Sequence, residues 1–416
     1  MNGISKKCMS KYFIIIGCLI ISFCVFAQED IDFKYERSSL YMMMIKHPNL
    51  SFNREIEFVF SRMEKPDRFN DHSLGVHSVQ FAEDKDQIKN INSFIKQVQL
   101  GKKIVAKWFN RNKLDGSFNM ELIKERGNYN ATMFDVNVAK QQIRGGSLLE
   151  DAGEILVSNT YLVMNDIYYV DKSNKWQIVK DGLNVATSLA EPWLLGTTST
   201  ITDNDNPFES SYAWLYGGVL DNVKGFRVRV TSYLFRLKWN DEIAQRFYTQ
   251  FYTEEGDIEK VKAFQTNKDL FEMEYVGRVE NTSTKTVLSG VKTNEDLIKK
   301  VCTRALDKNL ADLQHSFNDF RIKAPLVSLS PLKAYVGMKE DVTEESRYEV
   351  LERQTNEQGK IEYKRVGVIK PVKNKIWDNR YMAMEEGIIE AALNGTEFQK
   401  VSGGDFYQGM LIREIK

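Results

Sequence analysis

Three carboxylates stand out by type and spacing. Glu150 and Glu154 are four residues apart, one helical turn, so they share a face. Asp166 follows Asn165 at the far side of the apolar run Tyr161–Met164. Two carboxyl groups held roughly 5–10 Å apart in one cleft carry out the acid/base chemistry of glycoside hydrolysis. A simpler origin exists for the same residues. Leu148, Leu149, Ala152, Ile155 and Leu156 cover the opposite side of that helix, and Lys140 and Arg144 lie upstream to offset the acids. The glutamates therefore fall where an amphipathic helix places them. An acid beside a buried strand needs partners. A hydrogen-bonded network holding the strand end is the first expectation for Asp166. A carboxylate site joining it to Glu150 or Glu154 is the alternative.

Other chemistries find little purchase. No nucleophile elbow exists, since "RGGSLLE" around Ser147 does not match it. Cys302 and His315 lie 13 residues apart on one expected helix, which separates them by roughly 20 Å along its axis. His72 and His77 are the nearest histidine pair, but five residues along an extended segment place them on opposite faces. No H-E-x-x-H occurs, and "TDNDNPFE" at 202–209 lacks the glycine and the distant glutamate of a calcium loop. Phosphate-binding loops are missing, so neither metal nor cofactor is expected. Lysines and arginines total 57, as do aspartates and glutamates, with no basic stripe among aromatics. Nucleic acid is therefore not an expected partner.

The elements that would position these residues alternate between helix and strand, which predicts an α+β protein. Apolar residues at helical spacing fill 87–109, with an interruption at Gly101. A second helical region spans 119–156, broken at Gly127 and at Gly145-Gly146. The widest apolar stripe runs from Leu297 to Phe320. Residues 226–239 alternate as a strand but change phase between Val230 and Tyr233. That predicts a β-bulge or a change of packing partner. Asn240 suits a helix N-cap, and Phe271, Met273 and Tyr275 mark another half-buried strand. Beyond "KAPLVSLSP" (323–331), read as a proline-flanked joint, five strands are expected. They are "LKAYVGM", "RYEVLERQ", "IEYKRVGVIK", "KIWDN" and "GMLIREIK", with one helix near 381–393. Five short strands in about 90 residues predict a small antiparallel β-barrel. One further segment, 191–220, is long, aperiodic and rich in Gly, Ser, Thr and aromatics. Trp193, Tyr212, Trp214 and Tyr216 within it would form a contact surface for an envelope protein, a glycan or the membrane surface.

"LLEDAGE" with the following Asn-Thr and Asn-Asp pairs, together with "RYEVLER", "YKRVGVIK" and "IWDN", resembles a group of exported proteins of Bacteroides-like bacteria. The resemblance implies export and a two-part architecture; it implies no activity. The N-terminus agrees. Lys6, Lys7 and Lys11 precede the apolar stretch Tyr12–Ala27, and Val25-Phe26-Ala27 ends on a small residue. This is the pattern of a secretory signal peptide, and the run is short for a spanning helix. Past it the chain keeps one cysteine, Cys302, so no intrachain disulfide is expected. The expected division is a leader over 1–27, a mixed α/β body over 28–325 and a β-rich small barrel over 326–416. The expected role is non-enzymatic binding or assembly in the cell envelope or outside it. The alternatives are a carboxylate-dependent hydrolase of envelope polymers or glycans, and a membrane-peripheral accessory factor. N-terminal sequencing of exported protein is expected to begin at Gln28; a lipid-bearing start at Cys18 would make it a lipoprotein instead.

Overall fold

The computed structural model describes residues 38–50, 53–63, 66, 68–81, 86–130, 155–171, 223–288, 294–321, 323–355, 361–381, 383 and 393–415. All belong to one compact unit, Tyr35–Lys416. The fold is α+β: a mixed sheet between helical layers, followed by a closed six-stranded antiparallel barrel.

Strand β1 (Ser38–Ile45) lies inside the first sheet. It pairs in parallel with β2 (Phe69–Asp71) and β3 (Ser78–Val79) on one side and with β4 (Thr160–Asp171) on the other. Strands β5 (Val223–Leu237) and β6 (Met273–Leu288) complete the sheet by antiparallel pairing. A strand covered on both faces reads as a continuous apolar run, which is why "LYMMMI" and "YLVM" show no alternation. Tyr41, Met43, Leu162, Met164 and Phe235 face one helical layer. That layer holds α2 (Gln87–Gln97), α3 (Leu100–Trp108), α4 (Glu121–Asn130), α5 (Asp241–Gln250) and α6 (Ile258–Thr266). Met44, Ile167, Val228 and Val230 face the other side, against α1 (Asn53–Ser61) and α7 (Asn294–Ser316).

Several expectations acquire a physical reason here. Asn240 caps α5 by accepting from the Ile243 amide at 2.9 Å. The phase change in β5 is a change of packing partner. Val228, Val230 and Leu234 face the α7 side, while Tyr233, Phe235 and Leu237 face the other. The bulge belongs to β6, where Leu234 pairs with Gly277 and Phe235 with Tyr275, leaving Val276 over. β4 runs well past the expected 161–164, so Asn165 and Asp166 lie within it rather than beyond its end.

The barrel is built from β7 (Ala324–Leu329), β8 (Leu332–Ala334), β9 (Arg347–Thr355), β10 (Ile361–Pro371), β11 (Thr396–Gly403) and β12 (Leu411–Ile415). Its closed order is β10-β11-β8-β7-β12-β9. The segment read as a joint is therefore a stave. Pro325 pairs with Leu411 in β7, and closure supplies partners that an isolated proline segment lacks. β11 was not anticipated. "KIWDN" forms only an isolated bridge, Gly337 with Trp377, and no strand. Most of the helix expected near 381–393 lies outside the described residues.

Gly101 does not interrupt a helix. The break falls at Gln99, whose φ of 50° and ψ of 52° are left-handed, and Gly101 sits inside α3. A Cβ there would stand 2.3 Å from the Phe271 carbonyl oxygen and 2.8 Å from its carbon. Backbone yields poorly, so Gly101→Ala is expected to lower stability by about 1–3 kcal/mol in urea denaturation. An unchanged midpoint would mean that α3 and the 271–272 segment separate freely.

Candidate functional site

Asn165 and Asp166 are consecutive in a strand, so their side chains leave opposite faces of the sheet. Asn165, fully buried, points toward α7. Its amide donates to the Met43 carbonyl at 3.1 Å, and its Oδ1 accepts from Ser232 Oγ at 2.6 Å. Asn309 of α7 donates to Ser232 Oγ and to the Val230 carbonyl, both at 2.8 Å, and accepts from Asn281 at 2.7 Å. This network ties β1, β4, β5, β6 and α7 together, and its members are satisfied.

Asp166 faces the other way and meets His47. Its Oδ1 stands 2.5 Å from His47 Nε2, with the carboxylate side chain 4 % exposed and the imidazole 20 %. Register explains the meeting. Ile45 pairs with Asp166 in the parallel ladder, and His47, two residues on, returns to the same face. The Tyr168 ring lies 4.5 Å from the imidazole. Burial first and the Asp166 carboxylate second push the phenols of Tyr168 and Tyr233 above their ordinary range. Among the described residues, nothing hydrogen-bonds to His47 Nδ1.

The same face continues as a polar row across the sheet. Thr231 pairs with Asp166 in register, and its hydroxyl donates to Glu280 Oε2 at 3.0 Å. Arg229, opposite Tyr168, holds Glu280 Oε1 at 3.0 Å. Tyr168 is 38 % exposed, and the Arg229 and Glu280 side chains are 60 % and 48 % exposed. The row lies where helices diverge. After β1 the chain crosses one face through α1 to reach β2, and after β3 it crosses the other through α2–α4 before β4. The carboxyl ends of β1 and the parallel stretch of β4 therefore flank a topological switch point, the usual place for a ligand in such sheets.

No protein-family model matches the chain, and no curated protein matches it. What the site can do rests on its own groups.

Glu150, Glu154, Trp193, Tyr212, Trp214 and Tyr216 lie outside the described residues, as does the 202–209 segment. Asp166 lies in β4, and its partner His47 is outside the carboxylate set that the sequence pattern singles out. His47 follows the apolar β1 run in "MMMIKHP", and a polar residue just past a doubly buried parallel strand was the available signal. The remaining histidines serve elsewhere. His72, fully buried, donates Nε2–H to the Ile104 carbonyl at 3.0 Å and accepts from Arg126 at 2.8 Å through Nδ1. Burial first and Arg126 second hold it well below the ordinary imidazole range. His77 is exposed. Among the described residues, no group of three or more His, Cys, Asp or Glu could hold a metal ion. Burial pushes the Cys302 thiol up to about 12, which leaves it protonated and inert at neutral pH.

Asp166→Ala removes a buried acceptor. If the pair is structural, the change is expected to cost about 1–3 kcal/mol in chemical denaturation, and Asp166→Asn less. A level or raised stability in Asp166→Ala would mean that the carboxylate is held for a ligand against its own solvation.

Proposed function

We propose that the chain is an exported cell-envelope or secreted protein whose body binds a glycan on the open face of its sheet without transforming it. The observation that carries this reading is the row His47, Asp166, Tyr168, Arg229 and Glu280, which joins an exposed aromatic ring to alternating donors and acceptors. An aromatic face packs against the C–H face of a sugar ring, and the Glu280 carboxylate, the imidazole and the guanidinium match its hydroxyls, with Asp166 orienting the imidazole from beneath. A chain with equal numbers of acidic and basic residues suits a ligand of low charge. The leader pattern and the resemblance to exported proteins support the compartment. Among the described residues, no helix is long and apolar enough to cross a membrane.

One observation favours a second reading. Asp166 engages Nε2 of His47 and leaves Nδ1 without a protein partner among the described residues, as an oriented general base requires. The protein would then be a hydrolase of the same polymers.

Affinity electrophoresis through gels containing solubilised envelope polysaccharide tests the binding reading. Wild-type protein is expected to be retarded, and Tyr168→Ala to weaken the interaction roughly tenfold, the loss of about 1.4 kcal/mol. Wild-type mobility unaffected by every polysaccharide would overturn it. Release of reducing ends that disappears in His47→Gln would establish the hydrolase instead.

A further inference from the structure

A second site lies at the seam between α7 and the barrel, away from the polar row. A cavity of about 40 Å³ opens between the C-terminal end of α7, the segment that follows it and strands β9 and β12. A second of about 20 Å³ shares Arg68, Gln314 and Glu340 with it. By the same measure a single water needs only roughly 10–15 Å³, so the larger space admits something bigger.

Cationic and phenolic donors, Arg68, Arg321 and Tyr348, line it together with two carboxylates, Glu340 and Glu414, that are engaged by other groups. Arg68 has a side chain only 14 % exposed, yet among the described residues its buried Nε has no hydrogen-bond partner. Glu340 Oε1 stands 3.5 Å from it, an ion-pair contact and not a hydrogen bond. Glu340 is committed to the barrel instead. Its Oε2 accepts from the Gly337 amide at 2.7 Å and from Asn379 at 2.9 Å. Arg321 donates to the carbonyls of His315 and Glu414 at 3.3 and 3.4 Å, and among the described residues it has no carboxylate partner. Tyr348, 5 % exposed, lines the same cavity. Burial, with Glu414 and Glu340 behind it, holds that phenol well above its ordinary range, so it stays a donor. His315 is occupied with Glu414 at 2.8 Å, and that hydrogen bond, against burial, raises its pKa. A guanidinium carries five N–H donors and no acceptor. The Nε–H of Arg68 is one such donor left over, and a buried donor calls for an acceptor.

We propose that this cavity binds one compact oxyanion, free or at the end of a larger ligand, with Arg68 as its main partner and Tyr348 and Arg321 as further donors. The anion would bridge the two parts of the fold, because Arg68 precedes β2 of the body while Tyr348 lies on β9 of the barrel. The site is independent of the glycan reading and stands if that reading fails.

Isothermal titration of the full chain with inorganic phosphate, at ionic strength fixed by chloride, tests it. One saturable site per chain is expected in wild type. Arg68→Gln is expected to weaken it at least ~10-fold and Tyr348→Phe ~3- to 10-fold, the usual scale for charged and neutral donors. Tyr348→Phe keeps the ring in place and still decides the matter if Arg68→Gln fails to fold. No saturable heat in wild type would overturn the proposal and assign the cavity to water. Equal phosphate affinity in wild type and Tyr348→Phe, with Arg68→Gln either equal or unfolded, would overturn it too. So would a thermal shift that grows without saturation in all three, the general effect of an excluded salt. Competition by acetate would assign a carboxylate source, and indifference to acetate a phosphoryl one; either supports the site.

Discussion

Two neighbouring polar residues in a strand buried on both faces impose the constraint around which this protein is arranged. Asn165 and Asp166 cannot reach water easily, and strand geometry sends them to opposite faces. Each must therefore find partners in a different layer. Asn165 finds Ser232 and, through it, Asn309 of α7. Asp166 finds His47 at the end of β1. One pair of residues thus fixes a helix on one side of the sheet and a candidate site on the other.

The helix so fixed also carries the barrel. Lys308 of α7 reaches Asp341 at 2.8 Å while holding Asp312 at 3.1 Å, and His315 reaches Glu414 at the same 2.8 Å. Lys339 approaches Asp307 at 3.8 Å. These pairs are partly exposed, and each contributes little alone. Together they set the orientation of a barrel whose own core, around Leu326, Val350, Ile369 and Ile412, is separate from the cores of the body. The same seam holds Arg68, whose buried Nε has no hydrogen-bond partner among the described residues.

The opposite face has a different character. The apolar layer under α2 and α3 ends at Ile45 and Met164, and beyond them the same face turns polar at Asp166, the register partner of Ile45. Charged and aromatic side chains that stay exposed on a sheet face are less common than a covered, apolar one, since a sheet gains stability by burying its faces. Here three strands contribute to such a row, beside the end of a fourth. That juxtaposition gives the body a surface suited to hydrogen-bonding a ligand, whereas its interior polar groups are spent on the protein itself.

Local patterns determined much of this protein from sequence alone. The stripe along α7, the Asn240 cap, the apolar run of β4 and the strands β9 and β10 are legible because each rests on near neighbours in the chain. The barrel is legible as a class for the same reason, although β7 reads locally as a joint and β11 is not among the five strands the pattern predicts. Proline argues against a strand until ring closure gives it a partner. What only the tertiary structure decided is long-range. His47 and Asp166 lie 119 residues apart, and no periodicity links them. Their meeting follows from the parallel register of β1 on β4, which depends on every crossover between those strands. The carboxylate was visible in the sequence as a residue in need of a partner. Which partner it would take was set by strand pairing, and pairing is a property of the folded sheet rather than of any segment within it.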